Sequence, residues 1–183
     1  MEMQIPGRHN IMNGLASFAV CYEMGVSPKG ICEAVAGFTG AGRRVEFKGT
    51  FGKGFEWADD YAHHPTEIKA TLSAAKELDY KRVVCIFQPF TFSRTALLFD
   101  DFAEALKLAD EVILTPIMGS REVNTYGVDS ADLAEKLPNA VVVDGFEHIA
   151  DMIEERYEKG DLVITMGGGD IYKVGHILER RKV

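Results

Sequence analysis

The 183-residue sequence is 46% hydrophobic and 26% charged, as in an ordinary water-soluble protein with room for one core or for one domain and part of a second. A net charge of −8 without a basic stretch argues against a nucleic-acid surface, which needs a cationic face. No apolar run reaches the roughly 18 residues of a membrane span, no secretory signal opens the chain, and three scattered cysteines (Cys21, Cys32, Cys85) define neither a disulfide framework nor a zinc site, so the expectation is a reduced, cytoplasmic protein without nucleic-acid or membrane partners.

Two helices come first. Residues 10–24 carry Ile11, Leu15, Phe18, Ala19 and Tyr22 at helical spacing before Gly25. Pro28 then opens a second helix with Ile31, Ala34 and Val35, closed by Phe38-Thr39-Gly40. Two helices without a sheet cannot bury both apolar faces, so residues 1–41 read as the tail of a larger domain. From residue 42 strands and helices alternate. Strands are expected at 44–48, 55–60, 82–87, 111–115, 140–144 and 162–166, and helices at 65–79, 93–109, 131–136, 146–159 and 171–181. The run Val83-Val84-Cys85-Ile86-Phe87 is apolar at every position, as a strand covered on both faces requires. This pattern predicts an α/β fold: an open, mostly parallel sheet with helices on both faces, whose ligands gather at the carboxyl ends of the strands.

The segments just after those strands therefore hold the candidate chemistry. Asp59-Asp60-Tyr61-Ala62-His63-His64-Pro65-Thr66-Glu67 brings two carboxylates and two imidazoles to a helix start. A ribose-binding aspartate suits this place, and so does a simple helix cap with solvated charges. Adjacent His63 and His64 make a poor metal pair, because neighbouring side chains project differently. Arg94, in Gln88-Pro89-Phe90-Thr91-Phe92-Ser93-Arg94-Thr95, lies in the first turn of a helix, where a cation opposes the macrodipole. Such a placement suits an anionic ligand, although a plain surface arginine fits as well. Met166-Gly167-Gly168-Gly169-Asp170 reads as a tight chain reversal that could also admit a ligand. Gly49-Thr50-Phe51-Gly52-Lys53-Gly54 lacks the spacing of a phosphate loop and reads as a hairpin turn. Asn10 and Asn13 share one helix face, where amides can pair with an adenine edge; Asn10 could equally be a helix cap.

Together these strings resemble the Mur ligase family. Ile5-Pro6-Gly7-Arg8-His9-Asn10 with Asn13 is similar to its His-Asn-x-x-Asn helix, Gly42-Arg43-Arg44-Val45-Glu46 to the arginine motif at a domain junction, and Asp60-Tyr61-Ala62-His63-x-Pro65 to its Asp-Tyr-x-His-x-Pro motif. The longer forms around His63-His64 and Gln88–Thr95 resemble its alanine-adding branch; Phe90 departs from the usual histidine. The resemblance implies a helical remnant of the central ATPase domain over 1–41 and the C-terminal domain over 42–183. It implies ATP and Mg2+ as cofactors, mainly through a phosphate loop outside this sequence, and L-alanine and UDP-N-acetylmuramate joined through an acyl phosphate. Asn10 and Asn13 would hold adenine, Arg44 and Asp60 the phosphates or ribose, Arg94 the alanine carboxylate, and His63 would be a further catalytic-site residue. The chain alone is expected to be inactive. The alternatives are a sister ligase acting on a preformed peptide and a non-catalytic nucleotide-binding or interaction module.

Overall fold

The computed structural model describes residues 3–5, 7–39 and 42–182. Pro6 and the His9 side chain, both in the first motif, lie outside the described residues, as does Ala41, where the domain boundary is expected.

Helices α1 (Arg8–Glu23) and α2 (Pro28–Ala36) come first. Ser27 caps α2 by accepting from the Gly30 amide at 3.2 Å, and Pro28 occupies its first turn. Helix α1 begins at Gly7 with no side-chain cap and no acidic residue in its first turn, so Asn10 lies inside the helix rather than capping it. Ile11, Met12, Leu15, Val20 and Met24 are all at least half exposed.

A six-stranded sheet follows: β1 (Glu46–Phe51), β2 (Phe55–Asp60), β3 (Arg82–Phe87), β4 (Glu111–Leu114), β5 (Ala140–Val142) and β6 (Asp161–Met166), in the spatial order β1-β2-β6-β3-β4-β5. Only β1 runs antiparallel; it pairs with β2 through the expected hairpin, whose Gly52 and Gly54 take positive φ. The last strand, β6, slots between β2 and β3, so the carboxyl ends of β2, β6 and β3 stand side by side.

Alternation along the strands decides which helix covers which face. Ala58, Cys85, Phe87, Leu114 and Ile164 meet Ile68 and Leu72 of α3 (Pro65–Lys76), Phe102 and Leu106 of α5 (Phe99–Leu106) and Leu133 of α6 (Ser130–Ala134). Trp57, Val84, Ile86, Ile113 and Val163 meet α7 (Phe146–Arg156) and α8 (Lys173–Arg181) through Ile149, Ile153, Val174 and Leu178. Each buried Val, Leu, Ile or Phe among them contributes about 1.5–3 kcal/mol, which makes these two interfaces the main source of stability. The α8 contact is close: a β-carbon on Gly175 would enter the Trp57 ring, so only glycine admits that approach.

Two expectations need correction. The single helix placed at 93–109 is two, α4 (Phe92–Leu97) and α5, broken at Leu98 (φ −111°, ψ 25°). The first strand starts at Glu46 rather than residue 44, because Arg43 (φ 55°) and Val45 (φ 48°) both take left-handed backbone.

Candidate functional site

The left-handed pair at Arg43 and Val45 is held by a network of bonds from the strand ends. Arg43 Nε donates to Asp59 Oδ2 (2.7 Å), one of its terminal nitrogens donates to the Gly167 carbonyl (2.9 Å), and its guanidinium lies over the rings of Tyr61 and Tyr172. The Val45 amide donates to Asp60 Oδ2 (2.9 Å), and the Arg43 carbonyl accepts from the Tyr61 amide (2.8 Å). Arg44, between the two, keeps its side chain 55% exposed, 3.7 Å from Glu67. The bends thus fix the backbone while leaving the Arg44 guanidinium available.

Asp60 is 2% exposed, and its carboxylate accepts from the amides of Val45 and Ala62 (2.6 Å) and from Thr71 Oγ1 (3.1 Å). Burial raises its pKa despite these donors and the Arg44 charge. Asp59, equally buried, accepts from Arg43 and from Thr165 Oγ1 (2.7 Å). Both carboxylates that the sequence offers to a ribose are therefore bonded within the fold.

Asn10, Asn13, Arg44 and Asp60 line one cleft of about 870 Å3 between the paired helices and the β2–α3 corner, with Ile31 and Val35 on its apolar wall. The four candidate nucleotide residues are thereby gathered in one place.

His63 and Arg94 belong to the neighbouring part of the strand-end edge. His63 Nδ1 lies 2.9 Å from the Tyr61 carbonyl; since a carbonyl only accepts, Nδ1 carries the hydrogen, and in the neutral ring Nε2 is the basic nitrogen. Its ring meets Phe90 edge-on and packs beside Gly168. His64 caps α3: its Nδ1 accepts from the Thr66 amide (3.3 Å), while Glu67 accepts from the His63 and His64 amides. Burial would raise the Glu67 carboxyl, but those amides and the Arg44 charge hold it below its ordinary value.

The glycine loop after β6 is pinned by Gln88, whose Oε1 accepts from the amides of Asp170 (2.7 Å) and Ile171 (3.1 Å). A β-carbon on Gly169 would strike Gln88 Oε1 and Met118 Sδ, so the tight reversal read from sequence is enforced by contact. Arg94 occupies the first turn of α4, and its Nη1 is buried without a hydrogen-bond partner. A guanidinium nitrogen hidden from water and unpaired is the feature expected where an anion belongs. Among the described residues no group of three His, Cys, Asp or Glu could hold a metal, and no helix is long and apolar enough to cross a membrane.

Sequence reasoning did not single out Arg43, Glu67 or Glu122. Glu67 carries a legible signal, the carboxylate three residues into a helix opened by His64-Pro65. Arg43 lies in the arginine string quoted above, but its partners are 16 and 124 residues away; Glu122 bonds Ser93, 29 residues away, and no local pattern marks it.

Comparison with known proteins supplies the wider context. A protein named UDP-N-acetylmuramate--L-alanine ligase from Lachnospira eligens is 48% identical over 182 residues, covering 97% of this chain and 39% of its own length. One of the same name from Acetivibrio thermocellus is 44% identical over 186 residues, covering 100% and 39%. The crystal structure of UDP-N-acetylmuramate-alanine ligase MurC from Thermotoga maritima superposes with a TM-score of 0.80 at 28% identity, over 98% of this chain and 39% of that one. The chain thus spans about two-fifths of the length of the curated relatives it matches. The family profile described as Mur ligase, glutamate ligase domain matches residues 43–169, from the arginine kink to the glycine loop, and with that match this chain belongs to the Mur ligase family.

Proposed function

We propose that this chain is the C-terminal portion of a cytoplasmic, ATP-dependent ligase that joins L-alanine to UDP-N-acetylmuramate in peptidoglycan synthesis. The observation that carries the reading is that relatives bearing this ligase name align with 94–100% of the chain at 42–48% identity. Residues 1–41 are then the helical remnant of the central ATPase domain, and 42–183 the C-terminal domain.

In this reading ATP, with Mg2+, supplies the phosphoryl group that activates the sugar's lactyl carboxylate. The cleft suits a nucleotide: Asn10 and Asn13 offer amides that can pair with an adenine edge, Ile31 and Val35 offer an apolar slab, and Arg44 offers a cation for phosphate or ribose oxygens. Asp60 serves the cleft as a buried brace of its wall. Arg94 takes the alanine carboxylate through its guanidinium fork, which leaves the amine free to attack. His63 is a further residue of the catalytic site, with Nε2 as the basic nitrogen of its neutral ring. Positioning and charge complementarity carry such a transfer, and closure over the remaining domains brings the activated carboxylate to the bound amine.

Phosphate release by a full-length protein that includes this chain tests this. Turnover should require ATP, UDP-N-acetylmuramate and L-alanine together, and the 183-residue chain alone should give none. Turnover with a preformed tripeptide but not with alanine would establish the sister activity instead. Turnover by the isolated chain would refute the fragment reading.

A further inference from the structure

Resting on the reading of Arg94 as the alanine-carboxylate site, we infer that Glu122 is the positioning residue of that site: it clamps the first turn of α4 and thereby aims the Arg94 fork. Helix α4 has only six residues, too few to hold its own geometry. Its cap, Thr91, sits in left-handed backbone (φ 68°) and accepts from the Arg94 amide at a long 3.4 Å. A stronger restraint comes from Glu122, whose Oε2 accepts from the Ser93 amide (2.8 Å) and whose Oε1 accepts from the Ser93 hydroxyl (2.5 Å). A carboxylate at the amino end of a helix also offsets the macrodipole that Arg94 opposes.

The loop that carries Glu122 is itself locked to the strand end. Met118 and the 89–91 segment exchange two backbone bonds, Met118 N to the Pro89 carbonyl (2.9 Å) and Thr91 N to the Met118 carbonyl (3.0 Å). The Glu122 amide donates to the Gly119 carbonyl (2.9 Å), and Gly119 lies so close to Phe92 that a β-carbon there would enter the ring. Loop and helix start therefore move as one body. Both Glu122 oxygens are taken by Ser93, so this carboxylate shares its surroundings with Arg94 without filling the fork; Arg94 Nη1 stays unpaired.

Two roles for Glu122 make opposite predictions. As a mere neighbouring negative charge it would repel an incoming carboxylate, and neutralising it would tighten binding. As a clamp it holds the fork in place, and breaking it weakens binding. Charge-assisted hydrogen bonds are worth more than a screened, solvent-facing repulsion, so the clamp should win.

The test is an NMR titration of the full 183-residue chain with L-alanine, read at the Arg94 Nε–Hε resonance, with the Arg44 resonance as a control for the cleft. Glu122→Gln should weaken the alanine Kd by about threefold to tenfold, consistent with one charge-assisted bond, with the Arg44 signal unmoved. Glu122→Asp should recover part of the loss. Ser93→Ala, which keeps the charge and removes one leg of the clamp, should also weaken binding. If Glu122→Gln binds alanine as well as or better than the wild type, the inference is overturned. If that variant does not fold, Ser93→Ala decides alone: weaker binding supports the clamp, and unchanged binding overturns it. A wild-type Arg94 signal that ignores alanine would instead overturn the carboxylate reading, and the clamp with it.

Discussion

At the amino ends of the parallel strands charges answer one another, whereas at the carboxyl ends one guanidinium is left short of a partner. On the first edge Arg82 grips Asp161 with two nitrogens (3.1 and 2.6 Å), Glu111 stands between Arg82 and Arg156, and Lys76 reaches Asp110 at 2.8 Å. On the second edge Asp59, Asp60 and Gln88 are bonded within the fold, yet a buried nitrogen of Arg94 is not. Similar residue types thus serve stability at one end and, in the proposed reaction, recognition at the other.

The largest expected effect lies on the closed edge. Asp161 is 4% exposed at its side chain, and Asp161→Asn should cost roughly 1.5–3 kcal/mol in urea denaturation, because Arg82 then loses its two-bonded partner and keeps only the more distant Glu111, 3.9 Å away. The loss should depend on pH. Burial would raise the Asp161 carboxyl, but the Arg82 hydrogen bond, the Glu158 amide and nearby cations hold it below its ordinary value. A lowered native pKa contributes stability that is present above the unfolded value, about 3.9, and is lost as pH falls through the native one. The gap between wild type and variant should therefore be full at pH 6 and shrink as the solution is acidified below about 4. A gap that stayed constant across that range would show that the ion pair is not its source.

Next comes Gly169→Ala on the open edge, where the new methyl meets Gln88 and Met118. Overpacking of this kind costs about 1–3 kcal/mol, and thermal melting should register it. Arg94→Ala inverts the pattern. Its melting temperature should hardly move, since Nη1 makes no bond to lose, while in the proposed reaction of the full-length protein the KM for alanine should rise at least roughly tenfold, about 1.4 kcal/mol. Arg94→Lys should recover only part of that, because a point charge lacks the fork. A higher KM for ATP with unchanged alanine kinetics would move Arg94 to the nucleotide site. The smallest effect belongs to Lys76→Ala, whose pair with Asp110 is about two-fifths exposed on both sides; screening should keep its cost below about 1 kcal/mol in urea denaturation.

Much of this arrangement is legible in the chain before folding. A continuous apolar run marks β3 as a strand covered on both faces, and Val83, Val84, Cys85 and Ile86 are all 1% exposed or less. Turn chemistry marks the β1–β2 hairpin and the glycine reversal. The break at Leu98 is not legible, because the helical pattern runs on through it. The candidate site divides in the same way. Asn10, Asn13, Arg44 and Asp60 stand out by motif and are gathered in one cleft. That Asp60 is committed to Val45, Ala62 and Thr71 depends on three-dimensional neighbours that no spacing announces.

The approach of α8 to the sheet has an optical consequence. Trp57 is the chain's single tryptophan, 1% exposed, with its indole nitrogen donating to Thr165 Oγ1 at 3.1 Å and its ring against Gly175. Its emission therefore reports on one event, the seating of the terminal helix on β2 and β6. A blue-shifted spectrum marks α8 in place, and a red shift marks its departure, even while the opposite face of the sheet stays packed. Filling of the Asn10–Arg44 cleft should leave that light unchanged, since Trp57 is not among the residues that line it.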